Sequence, residues 1–160
     1  MAGGPKAAVR SRTPYVAVVG ASSPTEEDLA DAESVGRELA QRGAIVVCGG
    51  RGGVMAAASR GAASAGGTVI GILPGLDRSD ANEWVTVSIP TGFGELRNGL
   101  VVRTSEVIIA VGGAYGTLSE IALGLQAGLR VFGLHTWEVD GIERVGSPRE
   151  AVELALRSVT

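Results

Sequence analysis

At 160 residues, with 45% apolar and 19% charged side chains, the chain has the material for one buried core, which excludes a disordered polypeptide and leaves little room for a second domain. A net charge of −3 without any basic run speaks against a nucleic-acid polymer as partner, though not against a single nucleotide. No apolar stretch reaches the roughly 18 residues that span a bilayer, so no membrane attachment is expected.

Residues 1–12 are small and basic, lack an apolar signal core and read as a loose tail; residues 13–160 read as the domain. Residues 15–19 form a continuous apolar run, predicted as a first strand buried on both faces. Gly20, Ala21 and Ser22 end it. Ser23 or Thr25 can cap a helix running to about Arg42, with Pro24 near its first turn and Glu26, Glu27 and Asp28 at the positive end of its dipole. Residues 44–48 are the second predicted strand. A glycine turn, residues 49–53, leads into a helix of small residues over 54–65. The third strand is expected at 68–73, a polar loop at 74–83 and a short fourth strand at 84–89. Residues 94–105 read as helical, with Leu96, Leu100 and Val101 on one face. The wholly apolar run 107–111 is the fifth strand. Residues 112–117, GGAYGT, turn into a helix ending near Ala127. A sixth strand at 129–134 and a last helix at 148–157, capped by Ser147, complete the pattern.

Strands alternating with helices imply right-handed crossovers, and so a single-domain, doubly wound, Rossmann-like α/β sheet, mainly parallel, with helices on both faces. In such sheets the ligand lies beyond the carboxyl ends of the strands. The 25 glycines have no collagen-like period and gather at those ends. The one cysteine, Cys48, cannot form an internal disulfide; it ends a strand and is expected as a buried, inert thiol, which fits a cytoplasmic protein.

The sharpest local signal is VGGAYGTLSE, residues 111–120. A buried strand delivers a glycine turn, and the turn opens a helix. Gly112, Gly113 and Gly116 let the backbone approach a ligand, and the helix start offers free N–H groups and about half a positive charge. The Thr117 hydroxyl can add a bond to a phosphate oxygen. A tight strand-to-helix turn with Thr117 as a plain N-cap is the alternative. Gly49, Gly50, Gly52 and Gly53, with Met55 after them, form a second such turn, and Gly20 with Ser22 a third approach; together they favour phosphate. No lysine follows either glycine turn, so neither is a Walker A loop. GGRGGVM lacks the GxGxxG spacing, and no acidic residue ends the next strand, so NAD is not expected; no cofactor is expected at all.

At these two turns the chain resembles the Lonely-Guy-type phosphoribohydrolases and their Rossmann-like relatives, long labelled "possible lysine decarboxylases". The family carries GGxxxGLM after its second strand and PGGxGTxxE after a later one. Here Gly49 to Met55 and Gly112 to Glu120 take those places, and Arg97 in ELRN matches an arginine of the preceding helix. The resemblance covers most of the chain, from about Tyr15 to Val131. It implies a nucleotide N-glycosidase that releases ribose 5-phosphate from a nucleoside 5′-monophosphate. Arg97 and Glu120 would then be catalytic, and Gly112, Gly113, Gly116 and Thr117 would hold phosphate. The chemistry is consistent with the residues. Cleaving the bond builds positive charge on the sugar, and Glu120, one turn after Thr117, can face the same ligand. Arg97 can pair with Glu120 or bind phosphate or ribose oxygens.

Three departures point to a sister branch. Two residues, Ala114 and Tyr115, separate Gly113 from Gly116 where the family has one, and Val111 replaces proline. Asn98 stands where the enzymes carry a second basic residue. The chain is also shorter. That branch resembles the molybdenum cofactor carrier proteins, which bind a pterin phosphate without turning it over. Two readings follow: a phosphoribohydrolase centred on Glu120 and Arg97, taken as the leading expectation, and a carrier or sensor of a phosphorylated ligand, nucleoside monophosphate or pterin phosphate.

Other chemistries find no support. The only lysine, Lys6, lies in the tail, so a Schiff base with pyridoxal phosphate has no residue to form it. One histidine and one cysteine do not make the usual metal ligand set, and no metal is expected. A 4% aromatic content and the acidic balance disfavour a single-stranded DNA binder. His135 reads as a loop histidine at a strand end. Trp84 and Trp137 read as core or subunit-contact residues. Tyr115 is open between stacking on a ligand and packing, and Asn82 and Glu83 lie in a loop that can reach a base. The small-residue helix and residues 121–125 carry apolar surface beyond one sheet face, so a homodimer or higher homo-oligomer is expected.

Overall fold

The computed structural model describes residues 12–159. The expected N-terminal tail therefore lies outside the described residues, apart from Arg12. Strands β1 (Tyr15–Gly20), β2 (Ile45–Cys48), β3 (Val69–Leu73), β4 (Val87–Pro90), β5 (Val107–Val111), β6 (Val131–Leu134) and β7 (Ile142–Arg144) form one sheet. Their order is β4-β3-β2-β1-β5-β6-β7, and every pairing is parallel. The chain moves outward from β1 to β4, returns to β5 beside β1, and then moves outward the other way. The switch lies between β1 and β5, where Gly20 pairs with Val111.

Five helices cover both faces: α1 (Glu26–Gln41), α2 (Val54–Ser64), α3 (Arg97–Thr104), α4 (Tyr115–Gln126) and α5 (Pro148–Val159). Successive side chains of a strand point to opposite faces, so β1 divides its apolar run between two cores. Val16 and Val18 join Leu39 of α1, Ala58 of α2 and Val152 of α5. Ala17 and Val19 join Val101 of α3 and Ile121 of α4.

Thr25 caps α1: its hydroxyl accepts from Asp28 N–H at 3.1 Å, and the Asp28 carboxylate accepts from Thr25 N–H at 3.3 Å. α1 and α2 then pack backbone against backbone. A β-carbon on Gly36 would lie 2.0 Å from the Ala58 carbonyl oxygen, and one on Gly61 1.9 Å from that of Glu33. The small residues of α2 thus meet α1, which corrects the expectation that they need a cover from outside the chain. On the other face Ile121 is buried, while Leu100, Leu123 and Phe93 stay open.

The expected strands hold with two corrections. β4 begins at Val87, because Asn82 takes Trp84 N–H on its side-chain oxygen at 3.1 Å and keeps this stretch in a turn. β7, which extends the sheet past β6, was not foreseen. No helix among the described residues is long and apolar enough to cross a membrane.

Candidate functional site

β5 is buried throughout and ends at Val111, where the chain turns on two glycines. Gly112 has φ 59° and Gly113 φ 135°, a pair of values that suits glycine. Their surroundings leave no room for a larger residue. A β-carbon on Gly112 would lie 2.5 Å from an Asp28 carboxylate oxygen, and one on Gly113 2.7 Å from the Thr117 β-carbon. The Gly112 N–H donates to the Leu134 carbonyl at 2.9 Å, which pins the turn to β6.

α4 starts from Ala114, an N-cap residue with no side-chain acceptor. The N–H groups of Tyr115, Gly116 and Thr117 find no acceptor among the described residues. These three residues border a cavity of about 830 Å³ at the carboxyl edge of the sheet. Free donors at the positive end of a twelve-residue helix make a seat for an oxyanion. Thr117 is buried in the first turn and is not the N-cap.

The same cavity receives Gly20 and Ser22 from the loop after β1, and Gly49 and Met55 from the turn after β2. Gly50, Gly52, Gly53, Gly112 and Gly113 do not border it. Gly53 caps α2, and the first helical N–H, of Val54, donates to the Ala21 carbonyl at 3.1 Å, so part of that helix start is taken up by the first loop. The second glycine turn reaches the cavity through Gly49 and Met55, and the Met55 N–H also finds no acceptor among the described residues.

Glu120 and Arg97 both border the cavity. Glu120 is 7% exposed and has no hydrogen-bond partner among the described residues. Burial pushes its carboxyl up to about 8, against the opposing pull of the Arg97 charge. Burial also holds the Arg97 guanidinium below its ordinary range, against the Glu120 charge. The two do not form an ion pair. Instead Arg97 Nη2 donates to the Gly49 carbonyl at 3.5 Å and Nη1 donates to Asn98 Oδ1, while Nε–H is buried without an acceptor. Asn98 Nδ2 donates to Ser119 Oγ at 3.2 Å, and the Ser119 hydroxyl donates to the Gly116 carbonyl at 2.6 Å. A continuous chain therefore links Arg97 to the first turn of α4. Asn98 and Ser119 were not singled out as site residues from sequence; Asn98 registered there only as a missing charge.

Tyr115 is 81% exposed, and its ring lies 5.9 Å from that of Trp137 at a tilt of 31°. Trp137 Nε1–H donates to the Ala114 carbonyl at 3.0 Å. Asn82 is committed to the Arg51 carbonyl at 2.9 Å and does not border the cavity. Cys48 is buried, and burial pushes its thiol up. His135, at φ 52°, lies 3.1 Å from Glu27 Oε1 and 3.7 Å from Asp31 Oδ2, away from the cavity wall. Burial raises the Asp31 carboxyl, with His135 acting in the opposite sense.

Comparisons with known proteins agree with this architecture. The model of the SLOG cluster4 family matches residues 13–157. An uncharacterised protein of Archaeoglobus fulgidus is 40% identical over 144 residues, which is 89% of this chain and 95% of that relative. Among solved structures, the molybdenum cofactor binding protein of the phototrophic bacterium Rippkaea orientalis is 34% identical. It superposes with a TM-score of 0.88 over 93% of this chain and 99% of its own. The molybdenum cofactor carrier protein of Chlamydomonas reinhardtii is 32% identical, with a TM-score of 0.85 over 92% and 99%. The sister branch anticipated from the departures at residues 111–116 and Asn98 is the one these likenesses point to. With a family match over nearly its whole length, the chain belongs to the SLOG cluster4 family.

Proposed function

We propose that this protein binds a small phosphorylated ligand as a carrier or sensor, with the molybdenum cofactor as the first candidate. The observation that carries this reading is the trio of acceptor-free N–H groups at Tyr115, Gly116 and Thr117, facing a ligand-sized cavity. The likeness to molybdenum cofactor carriers over nearly the full length of both chains supports it.

The second reading, a nucleoside 5′-monophosphate phosphoribohydrolase, is favoured by one observation. Glu120 and Arg97 border the same cavity as the free N–H groups of α4, and the Glu120 carboxyl has no hydrogen-bond partner among the described residues. Two experiments separate the readings. Protein mixed anaerobically with molybdenum cofactor and passed through a sizing column is expected to carry molybdenum and pterin in near-stoichiometric amounts. Incubation with a panel of nucleoside 5′-monophosphates is expected to release no free base. Base release that disappears in Glu120→Ala would replace the carrier with the hydrolase. A homodimer or higher homo-oligomer in the cytoplasm belongs to the same proposal, supported by the open apolar side chains of Phe93, Leu100 and Leu123.

A further inference from the structure

We infer that Glu27, Asp31 and His135 form a binding site for one divalent transition-metal ion, zinc first among them, outside the ligand cavity.

The chain has one histidine, which makes no ligand set by itself; the fold brings two carboxylates to it. Glu27 and Asp31 stand four residues apart near the start of α1 and so share one face of the helix. His135 follows directly on β6 and reaches across to that face. Its Nε2 lies 3.1 Å from Glu27 Oε1 and 3.7 Å from Asp31 Oδ2, and the three atoms all fall within 4.8 Å of one another. Ligand atoms about 2.0–2.2 Å from a zinc ion stand roughly 3–4 Å apart, so small side-chain rotations bring these three onto one centre.

Carboxylates on a helix are ordinarily settled by hydrogen bonds or by an arginine, and these are not. Among the described residues neither accepts a hydrogen bond, even from His135, and neither pairs with an arginine. Arg37 and Arg42 pair instead with Glu33 and Glu38, farther along the helix. Burial works against the charge of Asp31, His135 acts the other way, and the Glu27 and Asp28 carboxylates oppose it again. In the tautomer that leaves Nε2 bare, three lone pairs converge with no donor among them, an arrangement that a cation settles. An imidazole beside two carboxylates suits zinc better than magnesium or calcium. Glu27 and His135 are open to solvent, which gives the ion a way in, and three protein ligands leave the rest of its coordination to water. The ion would also brace the glycine turn before α4. Asp28, next to Glu27, holds its carboxylate against Gly112, and Leu134, next to His135, accepts the Gly112 N–H. A metal joining α1 to the end of β6 therefore grips that turn from two sides.

Calorimetric titration of the chelator-treated, untagged full-length protein with zinc chloride tests this. Uptake of about one equivalent with a Kd of roughly 10 μM or below is expected, and magnesium should bind about a hundredfold or more weakly. Asp31→Asn and His135→Asn should each weaken zinc by about tenfold or more. Asparagine tolerates the positive φ at position 135, so that variant keeps its fold, which circular dichroism checks. The imidazole proton resonances belong to His135 alone, and stoichiometric zinc is expected to shift them. Zinc affinity unchanged in His135→Asn, or imidazole resonances that stay put at saturation, would overturn the site. So would the absence of uptake below about 1 mM, which would leave His135 a plain neighbour of two surface carboxylates. Equal affinity for magnesium would overturn the choice of a transition metal.

Discussion

Glu120 keeps an ionisable group where water scarcely reaches, and its titration follows from that. In the unfolded chain it ionises near 4.5; in the folded protein burial defers ionisation to about 8. Between those values the unfolded state binds fewer protons than the folded one, so stability falls as pH rises through this window. Glu120→Gln removes the titration. Thermal melts followed by circular dichroism should show the variant near wild type at pH 4.5 and above it by roughly 3–10 °C at pH 8.5. The same side chain illustrates what a linear reading can reach. Glu120, Thr117 and Gly116, which border one cavity, could be placed together because they share one turn and its helix, where spacing translates directly into geometry; Gly112 and Gly113 shape that turn without bordering the cavity. Asn98 was not, because its meaning lies in Ser119, a hydroxyl from another helix. Trp137 was not either, since its link to Ala114 depends on how the segment after β6 folds back.

Among the elements, the junction of α1 and α2 makes the sharpest prediction. In an open helix, glycine to alanine gains about 1 kcal/mol. Gly99 in α3 has nothing within 4 Å of where its β-carbon would be, so Gly99→Ala should stabilise by up to that amount. At Gly36 the added carbon would meet the Ala58 carbonyl, and the sign reverses. Gly36→Ala should cost roughly 1–3 kcal/mol, read as a lower urea midpoint. Buried strands such as β1 and β5 were legible because a run of apolar residues has few other homes in an alternating α/β chain. β7 was not: its three residues are half-buried or exposed at a sheet edge and make no apolar run. Composition also misplaced the partner of α2. Alanine and glycine announce a close contact without saying with what, and the answer was the preceding helix.

For the whole molecule, the consequence of the sheet order is that the ligand edge forms where β1 and β5 part, between loops from both halves of the chain. Alternation of strands and helices predicted such an edge but not the order, because several orders satisfy the same crossover handedness. A ligand seated across that edge engages both halves at once and is absent from the unfolded chain. The phosphorylated ligand proposed above, supplied at a hundred times its Kd, should add about 2.7 kcal/mol. In a melt that is a rise of roughly 5–10 °C, and no shift at saturation would mean that binding does not depend on the fold. The loops after β1 and β2 lead into α1 and α2, and the contact between these two helices constrains what descendants of this sequence can become. Where two side chains touch, a larger one can be offset by a smaller neighbour. At Gly36 and Gly61 the opposing atoms are main-chain oxygens, which no substitution can shrink. These two positions have no compensating partner, so a lineage that keeps this pair of helices must inherit both glycines unchanged.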